Sequence, residues 1–192
     1  MLRRHMHRLR RDQRGVSAVE FALVLPVLVV LALGAYEVPR LLLIDQKLTR
    51  VTSEIGDLVA RQQTGITGTQ LQDLFKAGAE IMQPFSFTDV GAVIVSAITR
   101  PTTAAATIAW QCVSTNSIVA TSKIGGSGKK PALPPNFVVN TGDEVIVAEV
   151  VYNYQPVFGS YILDSQQIYD VSYFRPRGDT LSTIGNGCGT GS

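Results

Sequence analysis

The residues with chemistry to offer are few. Gly15 stands where a basic leader meets an apolar run, and Glu20 lies five residues further on, inside that run. A carboxylate among apolar residues is costly unless paired, so Glu20 either snorkels to an interface or has a cationic partner. Cys112 and Cys188 make an even pair far apart in the chain, and both histidines, His5 and His7, fall in the basic leader. Without an imidazole beyond that leader, Ser/His/Asp and Cys/His catalysis and most transition-metal sites are excluded. Gly125-Gly126-Ser127-Gly128-Lys129-Lys130 suggests a phosphate loop, but it lacks the G-x-x-x-x-G-K-[ST] spacing and reads as an exposed loop. Asp143, Glu144 and Asp164 have no partner spacing and read as a turn and loop solvation. Tyr152, Tyr154, Phe158 and Tyr161 offer either a strand face or a contact patch for another subunit. The chain is therefore expected to be no enzyme, with no cofactor and no metal.

The elements that carry these residues follow from charge and periodicity. The 192 residues hold 17 Lys+Arg against 15 Asp+Glu, a net charge of +2, and the charged fraction of 17% is low. Residues 1–14 carry six arginines and one aspartate, hence +5, which leaves −3 for the rest. A basic excess confined to that leader gives no reason to expect nucleic acid. Between Phe21 and Tyr36 there is no charge, and from Val16 the run is long enough to cross a bilayer. Arginines before it should stay cytoplasmic, which places the remainder outside. Three readings compete: a cleaved secretory signal with a weak site near Tyr36, a plain signal anchor, and a segment cut at Gly15.

Beyond the run, Leu41, Ile44, Leu48, Val51, Ile55 and Leu58 form an apolar seam, with core packing in the chain's own domain the favoured use. Pro26 and Pro39 are expected to kink this helix. After Thr64–Gly68, Thr69 can cap a second helix with Leu71, Leu74, Phe75, Gly78 and Met82 on one face, ending before Pro84. The pattern then changes. Residues 90–99 read as a central strand, apolar on both faces. Ala106, Ile108, Trp110 and Cys112 alternate with Thr107 and Gln111 as a half-buried strand, 123–136 is a loop, 144–154 is the longest strand, and Tyr169, Val171 and Tyr173 mark the last. The Gly-rich stretch after Pro176 reads as a poorly ordered tail. The whole is α+β: a long N-terminal transmembrane and amphipathic helix, then a head with a second helix and an antiparallel sheet. The divisions are 1–15 leader, 16–63 helix, 64–177 head and 178–192 tail. With both cysteines in an oxidising compartment, a bond between them would contribute about 4 kcal/mol in the chain-entropy model, the alternative being two free thiols.

Arg14-Gly15-Val16-Ser17-Ala18-Val19-Glu20-Phe21 resembles the processing site of type IV prepilins. It is most similar to the TadE-like pseudopilins of the Tad (Flp) pilus, with their G-x-x-A-V-E-F-A-L-V-x-P pattern, a motif that TadF-like members share. A weaker likeness lies in Tyr152-Asn153-Tyr154-Gln155-Pro156 and Phe174-Arg175-Pro176-Arg177. The resemblance implies a pilin-like fold. It also implies cleavage between Gly15 and Val16 by a prepilin peptidase on the cytoplasmic side of the inner membrane. The head would be periplasmic, with later entry into an extracellular filament. Glu20 would then be the fifth residue of the mature chain, next to Phe21, and would pair with the new amine of an adjacent subunit, which is mostly cationic at neutral pH. The partners implied are the peptidase, other pilins and pseudopilins, the inner-membrane assembly platform and membrane lipid. A minor role is implied, because major Tad pilins are much shorter.

Overall fold

The computed structural model describes residues 15–63, 65–115, 118–159, 162–178, 181–186 and 188. Its first element is α1, Val16–Ala60, which runs without a break through Pro26 and Pro39. It ends three residues before the expected limit of 63. The chain forms two compact units, and α1 contributes to both.

The first unit holds the described residues up to Arg40 together with Pro156–Asp164. Every residue from Gly15 to Ala32 is exposed, including Val19, Phe21, Leu23 and Leu31. A helix that shows apolar side chains all round has no face reserved for a protein core. Its length and composition suffice to cross a membrane. The surface changes at Glu37, which is fully buried.

The second unit holds Leu41–Gln155 and the described residues from Ser165 on. Its centre is a four-stranded antiparallel sheet of β2 (Gly91–Thr99), β3 (Thr107–Val113), β4 (Glu144–Tyr154) and β5 (Gln166–Phe174), in the order β3-β2-β4-β5. β2 and β4 are the inner strands, and both are buried on both faces, as their unbroken apolar runs require. A two-stranded parallel pair joins β1 (Ile66–Thr67) to β6 (Ile184–Gly185).

One face of the sheet packs on helices. Val93, Val95, Ala97, Trp110, Cys112, Ile146, Ala148, Val150, Tyr152 and Tyr154 share a core with Ile44, Leu48, Val51, Ile55 and Val59 of α1. The expected seam therefore holds up to Ile55. Its last step does not: Leu58 is exposed and Val59 is buried in its place. A strict seven-residue repeat suits a supercoil, whereas a helix of 3.6 residues per turn drifts away from it. Close approach is bought with glycine. A Cβ at Gly56 would lie 2.5 Å from the Phe174 ring, and one at Gly78 would lie 2.8 Å from Ile55.

Gly78 belongs to α2, Gly68–Ile81. Its cap is Thr67 and not the expected Thr69. The Thr67 hydroxyl accepts from the Gln70 amide at 3.2 Å, while Gln70 Oε1 accepts from the Thr67 amide at 2.9 Å. This reciprocal box needs Gln at the third helical position; Thr69 is also followed by one, Gln72, but that side chain donates to the Val113 carbonyl and accepts from the Thr115 amide instead.

The half-buried strand also differs in detail. Ala97 pairs with Trp110 but Ile98 pairs with Ile108, so Ala109 is an extra residue. This bulge turns Ile108 to the opposite face from Trp110 and Cys112, where it meets Ile98, Ile124, Val139, Val145 and Val147. That second face is covered by the chain between β3 and β4.

Candidate functional site

The N-terminal motif begins in the open. A Cβ built at Gly15 meets nothing within 4 Å, so the chain's own packing does not demand glycine there. Val16, the first residue of α1, is exposed, as are Glu20 and Phe21. Val16 and Glu20 are four apart and so one turn apart on the same face. Glu20 makes no hydrogen bond or ion pair among the described residues. The leader residues 1–14 lie outside the described residues. Glu20 is the one charged residue on the largely exposed stretch from Val16 to Tyr36.

At the other end of the apolar run is a group that sequence reasoning missed. Glu37 is buried, and both of its oxygens accept from the Val157 amide, at 3.1 and 3.2 Å. Arg40, one turn on, stands 3.6 Å from the same carboxylate. Tyr36 meets Phe158 edge to face, with centroids 5.5 Å apart. The segment Pro156–Asp164 is thus fastened to α1. Its donor is 120 residues away in sequence, which no local spacing reveals.

The second unit contains one further buried carboxylate, Glu149, and a half-buried one, Glu144, each serving as a fastening. Glu149, in the middle of β4, is fully buried. It accepts from the Lys123 amide at 2.8 Å, the Ser122 hydroxyl at 2.5 Å and the Tyr169 hydroxyl at 2.7 Å. The Lys123 ammonium lies 3.9 Å above the Tyr169 ring. Burial, then the bond to Glu149, holds the Tyr169 hydroxyl far above the usual phenol range; burial followed by the Glu149 charge also raises Tyr173. Glu149 therefore pins the covering segment to the sheet. Ionised carboxylates only accept, so three converging donors are what makes its burial tolerable.

Glu144, read from sequence as part of a turn, accepts from the Leu181 amide at 2.7 Å. Leu181 is fully buried and its carbonyl accepts from the Trp110 indole at 2.5 Å. Cys112 and Cys188 are joined as a disulfide, with Cα atoms 5.3 Å apart. The expectation of a poorly ordered tail is therefore corrected for residues 181–186 and 188. Leu181, the β1–β6 pair and the disulfide hold them to the second unit; the other residues after Gly178 lie outside the described residues. The Phe174–Arg177 stretch closes α1, because the Arg177 amide donates to the Ala60 carbonyl at 3.0 Å and so satisfies one helix-end acceptor.

The remaining candidates offer no catalytic arrangement. The Gly128 amide donates to the Ile108 carbonyl and the Lys129 carbonyl accepts from the Ile108 amide, so the glycine-rich loop is an extension beside β3 rather than an anion cradle before a helix. Tyr152 and Tyr154 are buried, Tyr152 stacking with Phe87, which decides for strand-face packing over a contact patch. Phe158 belongs to the first unit, and Tyr161 lies outside the described residues.

A helix exposed and apolar at its start, amphipathic further on and packed there against an antiparallel sheet is a helix-and-head layout whose apolar start suits a membrane anchor. Residues 15–57 match the TadE family, described as TadE-like protein, and over that stretch the chain is similar to it. Motif and apolar helix together fit a membrane-anchored protein associated with the Tad pilus. No curated protein and no solved structure matches the chain.

Proposed function

We propose that this chain is a minor pseudopilin of a Tad (Flp) type IV pilus, structural rather than catalytic. The leader is cytoplasmic, α1 crosses the inner membrane once, and the head is periplasmic. A prepilin peptidase cuts between Gly15 and Val16. The processed chain then meets other pilins and the inner-membrane assembly platform, and enters or primes an extracellular filament. The observation that carries this reading is the family match beginning at Gly15, at the first turn of an apolar helix exposed on every side. Two features support the details. Gly15 has open space around it, so its lack of a side chain suits an enzyme that must approach the backbone closely. Glu20 has no partner among the described residues, as expected of a carboxylate kept for the amine of a neighbouring subunit.

N-terminal sequencing of the membrane-held protein tests it. A start at Val16 is expected, and Gly15→Arg should leave a heavier, unprocessed form. Glu20→Ala should be processed normally yet fail to support piliation. An intact Met1 in wild type would make the chain a signal-anchored periplasmic interaction module. Normal piliation by Glu20→Ala would remove the pairing role.

A further inference from the structure

The segment that covers Glu37 has a surface of its own. It belongs to the same compact unit as the apolar start of α1. From Val16 to Glu37 the helix rises about 32 Å at about 1.5 Å per residue, close to the hydrocarbon thickness of a bilayer at about 30 Å. Glu37 thus falls where hydrocarbon gives way to headgroups. A bare carboxylate there is unfavourable, and this one is not bare: the Val157 amide and Arg40 meet it, and it has no exposed surface. Around this sealed charge the outer surface is mostly apolar and aromatic, with Asp164 exposed at the far end of the segment. Tyr36 is 54% exposed, Val38 44% and Val157 53%. Ile162 lies against Gly34, 4.0 Å from where a Cβ would stand. A carboxylate hidden beneath exposed valines has no purpose against water, where it would be better solvated than buried. Against lipid the arrangement is favourable, with an aromatic residue at the boundary and the charge screened behind it.

We infer that residues 156–159 and 162–163, with the adjoining Tyr36–Val38 stretch of α1, form a collar seated in the headgroup boundary of the bilayer, a lipid contact separate from the spanning helix. The inference rests on α1 being a membrane anchor. Its occupant is lipid because the patch continues the exposed apolar surface of α1 without a gap and lies one bilayer thickness from Val16.

The test uses the full chain in vesicles of phosphatidylethanolamine and phosphatidylglycerol. Val157→Cys is labelled with a nitrobenzoxadiazole dye while Cys112 and Cys188 remain in their disulfide. Leu28→Cys marks the middle of the spanning run, and Val119→Cys, 85% exposed in the second unit, marks a site outside lipid. Quenching is read with doxyl groups placed shallow or deep in the acyl chains. The inference expects loss of the Val157 signal with shallow more than deep quencher, the reverse order at Leu28, and neither at Val119. A Val157 label as unquenched as Val119, with Leu28 quenched, overturns the collar while leaving the anchor intact. No quenching at Leu28 overturns the anchor and the collar with it. Dye self-quenching between copies at Val157 without lipid quenching assigns the patch to a second copy and also overturns the inference.

Discussion

Replacing Cys112 and Cys188 by serine together tests how the last residues are held. The bond spans 76 positions, and closing a loop of that size removes unfolded-chain entropy worth about 4 kcal/mol. The native contacts of the tail are expected to survive loss of the bond, because Leu181 is buried and bonded through its amide to Glu144 and through its carbonyl to Trp110, and β6 pairs with β1. The loss should therefore come from the unfolded state. Urea unfolding of the full chain in detergent micelles, followed by Trp110 fluorescence, measures it, because Trp110 is the only tryptophan and touches the tail directly. The double variant should lose about 4 kcal/mol and show a steeper urea dependence, since an uncrosslinked unfolded chain exposes more surface. A loss below about 1 kcal/mol with unchanged slope would refute the reasoning, because the residues between the cysteines would then be constrained by something other than the crosslink.

Glu144 supplies a pH prediction. Burial raises its pKa, with the Leu181 amide opposing, so the folded chain keeps a proton that the unfolded chain has already released. Stability should be greatest below the ordinary carboxyl range and fall as pH rises through the raised value; Glu144→Gln should flatten that fall above the ordinary carboxyl range. Glu149→Ala leaves three donors without their acceptor and should cost more than about 3 kcal/mol, with faster hydrogen exchange at the Lys123 amide, whereas Glu149→Gln should cost less. Gly56→Val drives a side chain into the Phe174 ring and should cost about 1–3 kcal/mol in urea unfolding; adding Phe174→Leu should recover part of it.

Periodicity made much of this fold legible. The unbroken apolar stretches of β2 and β4 marked inner strands, and the spacing of Ile44, Leu48, Val51 and Ile55 marked the face of α1 that meets them. The N-terminal motif was legible because its residues are contiguous. What stayed hidden depends on partners distant in the chain. Nothing around Glu37 or Glu149 announces that Val157, Ser122 and Tyr169 will supply donors. The bulge at Ala109 is set by pairing with β2, so the strand's own alternation could not show that Ile108 changes face. The tail looked loose by composition, yet a single leucine and one cysteine in it outweigh its glycines.

The Cys112–Cys188 bond makes a covalent ring. Inside it lie the segment covering the second sheet face, the strands β4 and β5 and the stretch Pro156–Asp164. A single proteolytic nick anywhere in that ring leaves both fragments joined through sulfur. In an oxidising compartment no single cut within the ring can thus shed its strands from α1, whereas one cut between the end of α1 and Cys112 can. The connections after β3, β4 and β5 can accordingly each be clipped once without the head being lost.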